Sequence, residues 1–195
     1  MSAAVRPLDV SEWAECLAYV EEDMAGQPLR IHGLLANNPD LLAAWWAFRM
    51  HVVHGGELTG RHRELIVLRV AAHTACWYEW ASHVERGRKA GLAPEEIEGV
   101  SRPLAERDWA EADALVLRAV DDCAASGRIL PGTLEALAGH FSGAQILDII
   151  GIQSAYLMLA TIINSLGLEL DASVQRPPGY SADTWSPRPL ADADV

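Results

Sequence analysis

The sequence predicts an all-α protein, and three observations carry the prediction. Apolar residues recur at three- and four-residue spacing through almost the whole chain. No stretch alternates apolar and polar residues over a useful strand length, and glycine, proline and asparagine separate the periodic runs. A chain of 195 residues, 50% hydrophobic and 22% charged, can bury a sizeable core, and its length suggests one domain with appendages.

The elements follow in order. Trp13, Leu17, Val20 and Met24 form a helical stripe from Val10 to Met24, which Gly26 and Pro28 end. A second helix is expected from Leu29 to just before NNPD. Asp40 reads as the N-cap of a third, LLAAWWAFRMHVV, closed by HGGELTG. RHRELIVLRVAAHTA then puts Leu65, Leu68 and Ala72 on one stripe with Glu64 beside it, and CWYEWASHVERGRKAGL runs to a C′ glycine, Gly91. Pro94 and two glutamates open a short helix. WAEADALVLRAVDDCAASG carries Ala112, Leu115, Ala119 and Cys123, and PGTLEALAGHFSG is another short helix. The last, about Ala144 to Leu166, is apolar on nearly all sides, as expected of a helix buried by the fold or by another subunit. From Asp171 onward the chain is rich in Pro, Asp, Ser and Ala, which predicts an extended arm without a core of its own; Trp185 is a candidate anchor on a neighbouring subunit.

Composition removes several classes of function. Asp and Glu outnumber Lys and Arg by 27 to 15, and a net charge of −12 repels phosphate backbones and anionic lipid surfaces, so no nucleic-acid or membrane partner is expected. The opening MSAAVRPLDV lacks a signal-peptide core, and the apolar run Ile146 to Leu168 is interrupted by Asp148, Gln153 and Asn164. These features predict a soluble cytoplasmic protein. Cys16, Cys76 and Cys123 form no C-x-x-C pair, which argues against a disulfide framework or a zinc ribbon.

Chemistry concentrates around HTAC. If the two helices flanking it form an antiparallel hairpin centred near His73 and Thr74, Glu64 and His83 lie equidistant from the turn and face each other. Cys76, Glu79 and His83, spaced three and four apart, share one face of the second helix. Cys76 in the first turn is placed for a lowered pKa. His83 between two carboxylates suits proton transfer near neutral pH, and Glu79 among Trp77, Tyr78 and Trp80 is placed for a raised pKa. Each group also has a structural reading: Cys76 as a small buried hydrophobe, Glu79–His83 as a solvated surface pair, the tryptophans as core. His51, His54 and Glu57 form a weaker metal-like set that equally complements a helix C-terminus. Gln153, Ala160 and Asn164 project from one side of the last helix, toward a pocket or a subunit contact.

RHRELIVLRVAAHTACWYEWASHVERGRKAGL resembles the core hairpin of the carboxymuconolactone decarboxylase-like superfamily, which includes alkylhydroperoxidase D. The resemblance runs from about Leu34 to Leu168 and is strongest between Arg63 and Gly91. In the peroxidase a glutamate is followed by a C-x-x-C and then a histidine; those positions here hold Glu64, Cys76, Glu79 and His83, so Glu79 stands where the attacking cysteine would be. With no second sulfur nearby in sequence, peroxidation through an internal disulfide cannot run, and the decarboxylase-like branch matches better. The resemblance implies an all-helical alkylhydroperoxidase D-like bundle at 34–170, preceded by a helical extension at 1–33 and followed by an arm at 171–195. It also implies a homo-oligomer (dimer, trimer or hexamer). The expected activity is that of a cofactor-free, metal-free acid/base lyase acting on a small carbonyl or lactone compound. His83, Glu64, Glu79 and Cys76 are its expected catalytic set, and Trp77, Tyr78, Trp80 and Arg63, or Arg69, its substrate contacts. The alternatives are a one-cysteine alkylhydroperoxidase using Cys76 and a non-catalytic oligomeric binding protein.

Overall fold

The computed structural model describes residues 5–185, and among them it contains α-helices and short 3-10 turns but no strand. The α-helices are α1 (Ala18–Asp23), α2 (Arg30–Leu35), α3 (Pro39–His54), α4 (Gly60–His73), α5 (Trp77–Lys89), α6 (Pro94–Val100), α7 (Glu111–Ser126), α8 (Pro131–Ala138) and α9 (Gly143–Leu166). Helix α4 is the axis of the fold. Every residue from Leu65 to Ala72 is buried, and the helix packs against α5, α7 and α9. A helix covered on all sides carries no polar stripe, so its run LIVLRVAA is apolar except for Arg69. That guanidinium, wholly buried, donates to both carboxylate oxygens of Asp121 at 2.7 Å and to the carbonyls of Val100 (2.7 Å) and Arg102 (2.6 Å), fastening α4 to α7 and to the end of α6.

The turn between α4 and α5 is three residues long. Thr74 N–H bonds to Val70 O and Cys76 N–H to Ala71 O, each at 2.9 Å, with Ala75 between them at φ +49°. Asn164 on α9 donates to Thr74 O at 2.8 Å and braces the turn from outside. Asn164 is therefore a turn brace, while Gln153 is buried beside Ser154; neither lines the cavity described below.

Two elements differ from the expectation. The third helix starts at Pro39 with Asn38 as its cap, accepting from Leu41 N–H at 3.1 Å; proline at the first position loses no bond, so the start lies before Asp40. The run from Val10 to Met24 is broken into 3-10 turns at Val10–Glu12 and Glu15–Leu17 ahead of α1. Leu8 N–H pairs with Gly33 O on α2 and Trp13 Nε1–H with Leu8 O, which pins this segment along α2 and interrupts a continuous helix.

Helix α9 is long and apolar enough to cross a bilayer by length and composition, but one of its faces, from Ile149 through Ala155 and Tyr156 to Ile163, is buried in the fold. Beyond it, Asp171 accepts from Arg30 N–H at 2.8 Å and from the Tyr78 hydroxyl. The described part of the arm lies on its own chain: Trp185 stacks on Trp80 at 5.0 Å and tilts against Trp77 at 5.8 Å, and Tyr180 meets Trp80 edge-on at 6.0 Å. Residues 186–195 lie outside the described part.

Candidate functional site

Glu64 sits in the second turn of α4 and His83 in the second turn of α5, and the antiparallel hairpin sets them face to face. Glu64 Oε2 lies 2.8 Å from His83 Nδ1. A carboxylate accepts, so Nδ1 carries the hydrogen and Nε2 keeps its lone pair. The Tyr156 ring from α9 meets the imidazole edge-on at 5.1 Å and holds its plane.

Beside this pair is a cavity of about 60 Å³ bounded by α2, α3, α5 and α9. Its apolar wall includes Leu29, Ile31, Val52, Leu159 and Ile163. Helix α5 contributes Glu79, Ser82, His83 and Arg86 at three- and four-residue spacing, and α3 contributes Trp45 and Arg49 one turn apart. Glu79 is 3% exposed, and neither of its carboxyl oxygens has a hydrogen-bond partner. Burial with no compensating charge drives its pKa well above the usual carboxylate range. Trp45 Nε1 and Ser82 Oγ are also buried without partners. The cavity thus holds a ring nitrogen with a free lone pair, a carboxyl biased toward its protonated form, and hydrogen-bonding groups the protein does not satisfy. Proton exchange with a small bound molecule is the chemistry such a set can perform.

His32 on the floor of α2 is buried and accepts from Leu29 N–H at Nδ1 (3.1 Å), which leaves Nε2 as the protonated nitrogen. Burial first, then the charges of Arg49 and Arg86, lower its pKa to about 3, so it is a neutral donor.

The predicted site residues divide. Glu64, Glu79 and His83 come together, and Tyr78 lines the cavity. Cys76 lies at the N-cap of α5 but points into the core, 0% exposed and outside the cavity lining. The expected lowering of its pKa is reversed: burial, helped by the charge of Glu79, outweighs the Glu79 and Tyr78 backbone amides and pushes the thiol to about 12. Trp77 and Trp80 are not in the cavity, because they project from other sides of α5 and pack against Tyr180 and Trp185. Arg63 is displaced about 100° round α4 from Glu64; it donates to the carbonyls of Gly55 (3.3 Å) and Leu58 (2.8 Å) and closes the α3–α4 loop. Arg69 is consumed by Asp121. His51 pairs with Asp148 on α9 at 2.8 Å.

Sequence reasoning missed His32, Trp45, Arg49, Ser82, Arg86 and Tyr156. Ser82 and Arg86 were legible, since they continue the Glu79–His83 face of α5. The others arrive from helices whose register against α5 is set only by packing.

The arrangement defines a class: an all-helical bundle with a carboxylate–imidazole pair across its central hairpin, opening on a small cavity. The model of the carboxymuconolactone decarboxylase family matches residues 39–122, which span all four of Glu64, Cys76, Glu79 and His83. Among solved structures, an uncharacterized peroxidase-related protein from Silicibacter sp. TM1040 superposes with a TM-score of 0.72 at 17% identity, over 88% of this chain and 94% of that one. An alkylhydroperoxidase AhpD core protein from Ralstonia eutropha JMP134 gives 0.71 at 22% identity, over 86% and 92%. The debrominase Bmp8, in complex with 2,3,4-tribromopyrrole, gives 0.71 at 16% identity, over 88% and 94%. These likenesses share the fold with this chain. No curated protein matches the sequence. The family model thus matches the segment that carries the site, residues 39–122, and the solved structures share the all-helical fold.

Proposed function

We propose that this protein is an acid/base enzyme that decarboxylates or isomerises a small carbonyl or lactone compound. The carrying observation is the pairing of opposite proton roles in one cavity: His83 with Nδ1 held by Glu64, and Glu79 buried, unpartnered and biased toward the neutral acid. In isomerisation, His83 Nε2 takes a proton from the carbon next to the substrate carbonyl; the electron pair of that C–H bond forms a carbon–carbon double bond to the carbonyl carbon, and the carbonyl π pair moves onto the oxygen. Glu79 gives its proton to that oxygen, forming an enol. The imidazolium, stabilised by Glu64, then delivers its proton to a different carbon of the conjugated system while Glu79 recovers the enol proton. Atoms balance, and both residues return to their starting state. In decarboxylation the pair left by departing CO₂ is protonated from the same groups.

The match to the carboxymuconolactone decarboxylase family model over residues 39–122 supports an enzymatic role, and the structures of similar fold include a peroxidase-related protein and a debrominase. A one-cysteine peroxidase ranks second because the thiol it needs is buried, outside the cavity and poorly ionised.

The test is turnover of a panel of lactones and β-keto acids by His83→Ala and Glu79→Gln. Each variant is expected to lose roughly 10² to 10⁴ in rate, and Cys76→Ala to lose little; unchanged turnover in His83→Ala removes the imidazole from the mechanism. Peroxide treatment is expected to give slow, unselective oxidation of Cys76, and rapid sulfenic acid formation there would favour the peroxidase.

A further inference from the structure

We infer that the Arg49–Arg86 side of the cavity is a carboxylate-binding recess, and that the substrate is a small monocarboxylate with an apolar body. This rests on the proton-transfer reading for the word substrate, but the binding site stands on its own geometry.

Several guanidinium groups in this acidic chain find carboxylates. Arg61 holds Glu96 and Asp113, Arg69 holds Asp121, and Arg6, Arg88 and Arg102 pair with nearby glutamates. The two arginines on the cavity do not. Arg49 lies over the Trp46 ring at 4.4 Å and reaches only the thioether sulfurs of Met50 (3.5 Å) and Met24 (3.6 Å), which are weak acceptors. Asp23, whose charge it senses, is occupied by Trp46 Nε1–H at 2.7 Å. The Arg86 guanidinium forms no hydrogen bond or ion pair among the described residues. Both side chains line the same cavity as His32 and Tyr156.

Neutral donors complete the recess. His32 presents Nε2–H, fixed by the backbone bond at its other nitrogen, and Trp45 Nε1–H and Ser82 Oγ are buried there without partners. Two guanidinium groups with neutral N–H and O–H donors match the lone pairs of a carboxylate. Leu29, Ile31, Val52, Leu159 and Ile163 receive an apolar body, while His83 and Glu79 reach the same molecule from the α5 face. The local positive charge also explains how an anion enters a molecule of net charge −12.

The experiment uses benzoate and its neutral isostere benzamide as probes, titrated calorimetrically into the full-length protein at low and at 0.5 M salt. Benzoate is expected to bind at least tenfold more tightly than benzamide at low salt, with the difference shrinking at high salt. Arg86→Gln, at an exposed position, is expected to weaken benzoate at least tenfold and leave benzamide within about twofold. Arg49→Lys, which keeps the charge but loses the planar fork, gives an intermediate loss. Equal binding of the two probes, no binding of benzoate at millimolar concentration, or indifference to Arg86→Gln overturns the recess. Full turnover in His83→Ala would overturn the proton-transfer reading and leave a measured carboxylate preference standing, so the two failures are separable.

Discussion

Glu79 and Cys76 are three residues apart on one helix, and the environment sends them to different fates. Cys76 lies at the helix start, where the dipole favours a thiolate, yet burial overrides the dipole and keeps it a thiol. Glu79 is also buried, but its side chain faces the cavity, and burial there raises its pKa. This has a stability consequence of definite sign. The folded state holds the Glu79 proton over a pH range in which the unfolded chain has released it, so this group makes stability fall as pH rises from about 4.5 toward its folded value. Glu79→Gln removes that slope. Its melting temperature relative to wild type is expected to rise with pH over that window and then level off; a constant difference from pH 4 to 9 would show that Glu79 is ionised in the fold.

The hairpin is the element that makes the site. Its spacing was readable because helix periodicity and a short turn together determine which residues face each other, and Glu64 and His83 satisfy both conditions. The turn itself carries a local conflict: Ala75 adopts φ +49°, a left-handed conformation that costs a residue with a Cβ about 1–2 kcal/mol. Part of that is returned by the lower entropy of an unfolded chain without the extra glycine. Ala75→Gly is therefore expected to stabilise the protein by up to about 1 kcal/mol, seen as a melting point raised by ~2–4 °C, with turnover retained. A lower melting point would mean that the entropy glycine adds to the unfolded chain outweighs the relief of left-handed strain. The aromatic sequence WYEW shows the limit of reading one element alone. Tyr78 and Glu79 line the cavity, whereas Trp77 and Trp80 serve a second core cluster closed by Trp185.

At the scale of the molecule, the described residues leave an apolar surface on α9 and α3 outside the core. Leu147, Ile150 and Leu157 lie at helical spacing on the outer face of α9, with Leu41 and Phe48 exposed on α3, which packs beside it. We expect a second copy of the chain to cover this surface. Light scattering after size exclusion is expected to give a dimer or larger, and Leu147→Glu with Leu157→Glu to shift it to monomer with helicity unchanged. A monomeric wild type would remove the expectation.

The sequence by itself determined the helices, the central hairpin and the carboxylate–imidazole pair across it, because these depend on periodicity and on contacts between chain neighbours. Only the tertiary structure decided which face of α5 looks into a cavity, that Cys76 falls on the buried side, and that His32, Arg49 and Tyr156 close around Glu79. Those groups come from α2, α3 and α9, whose positions against α5 follow from side-chain packing in the shared core, and packing between elements distant in sequence leaves no fixed spacing in the chain.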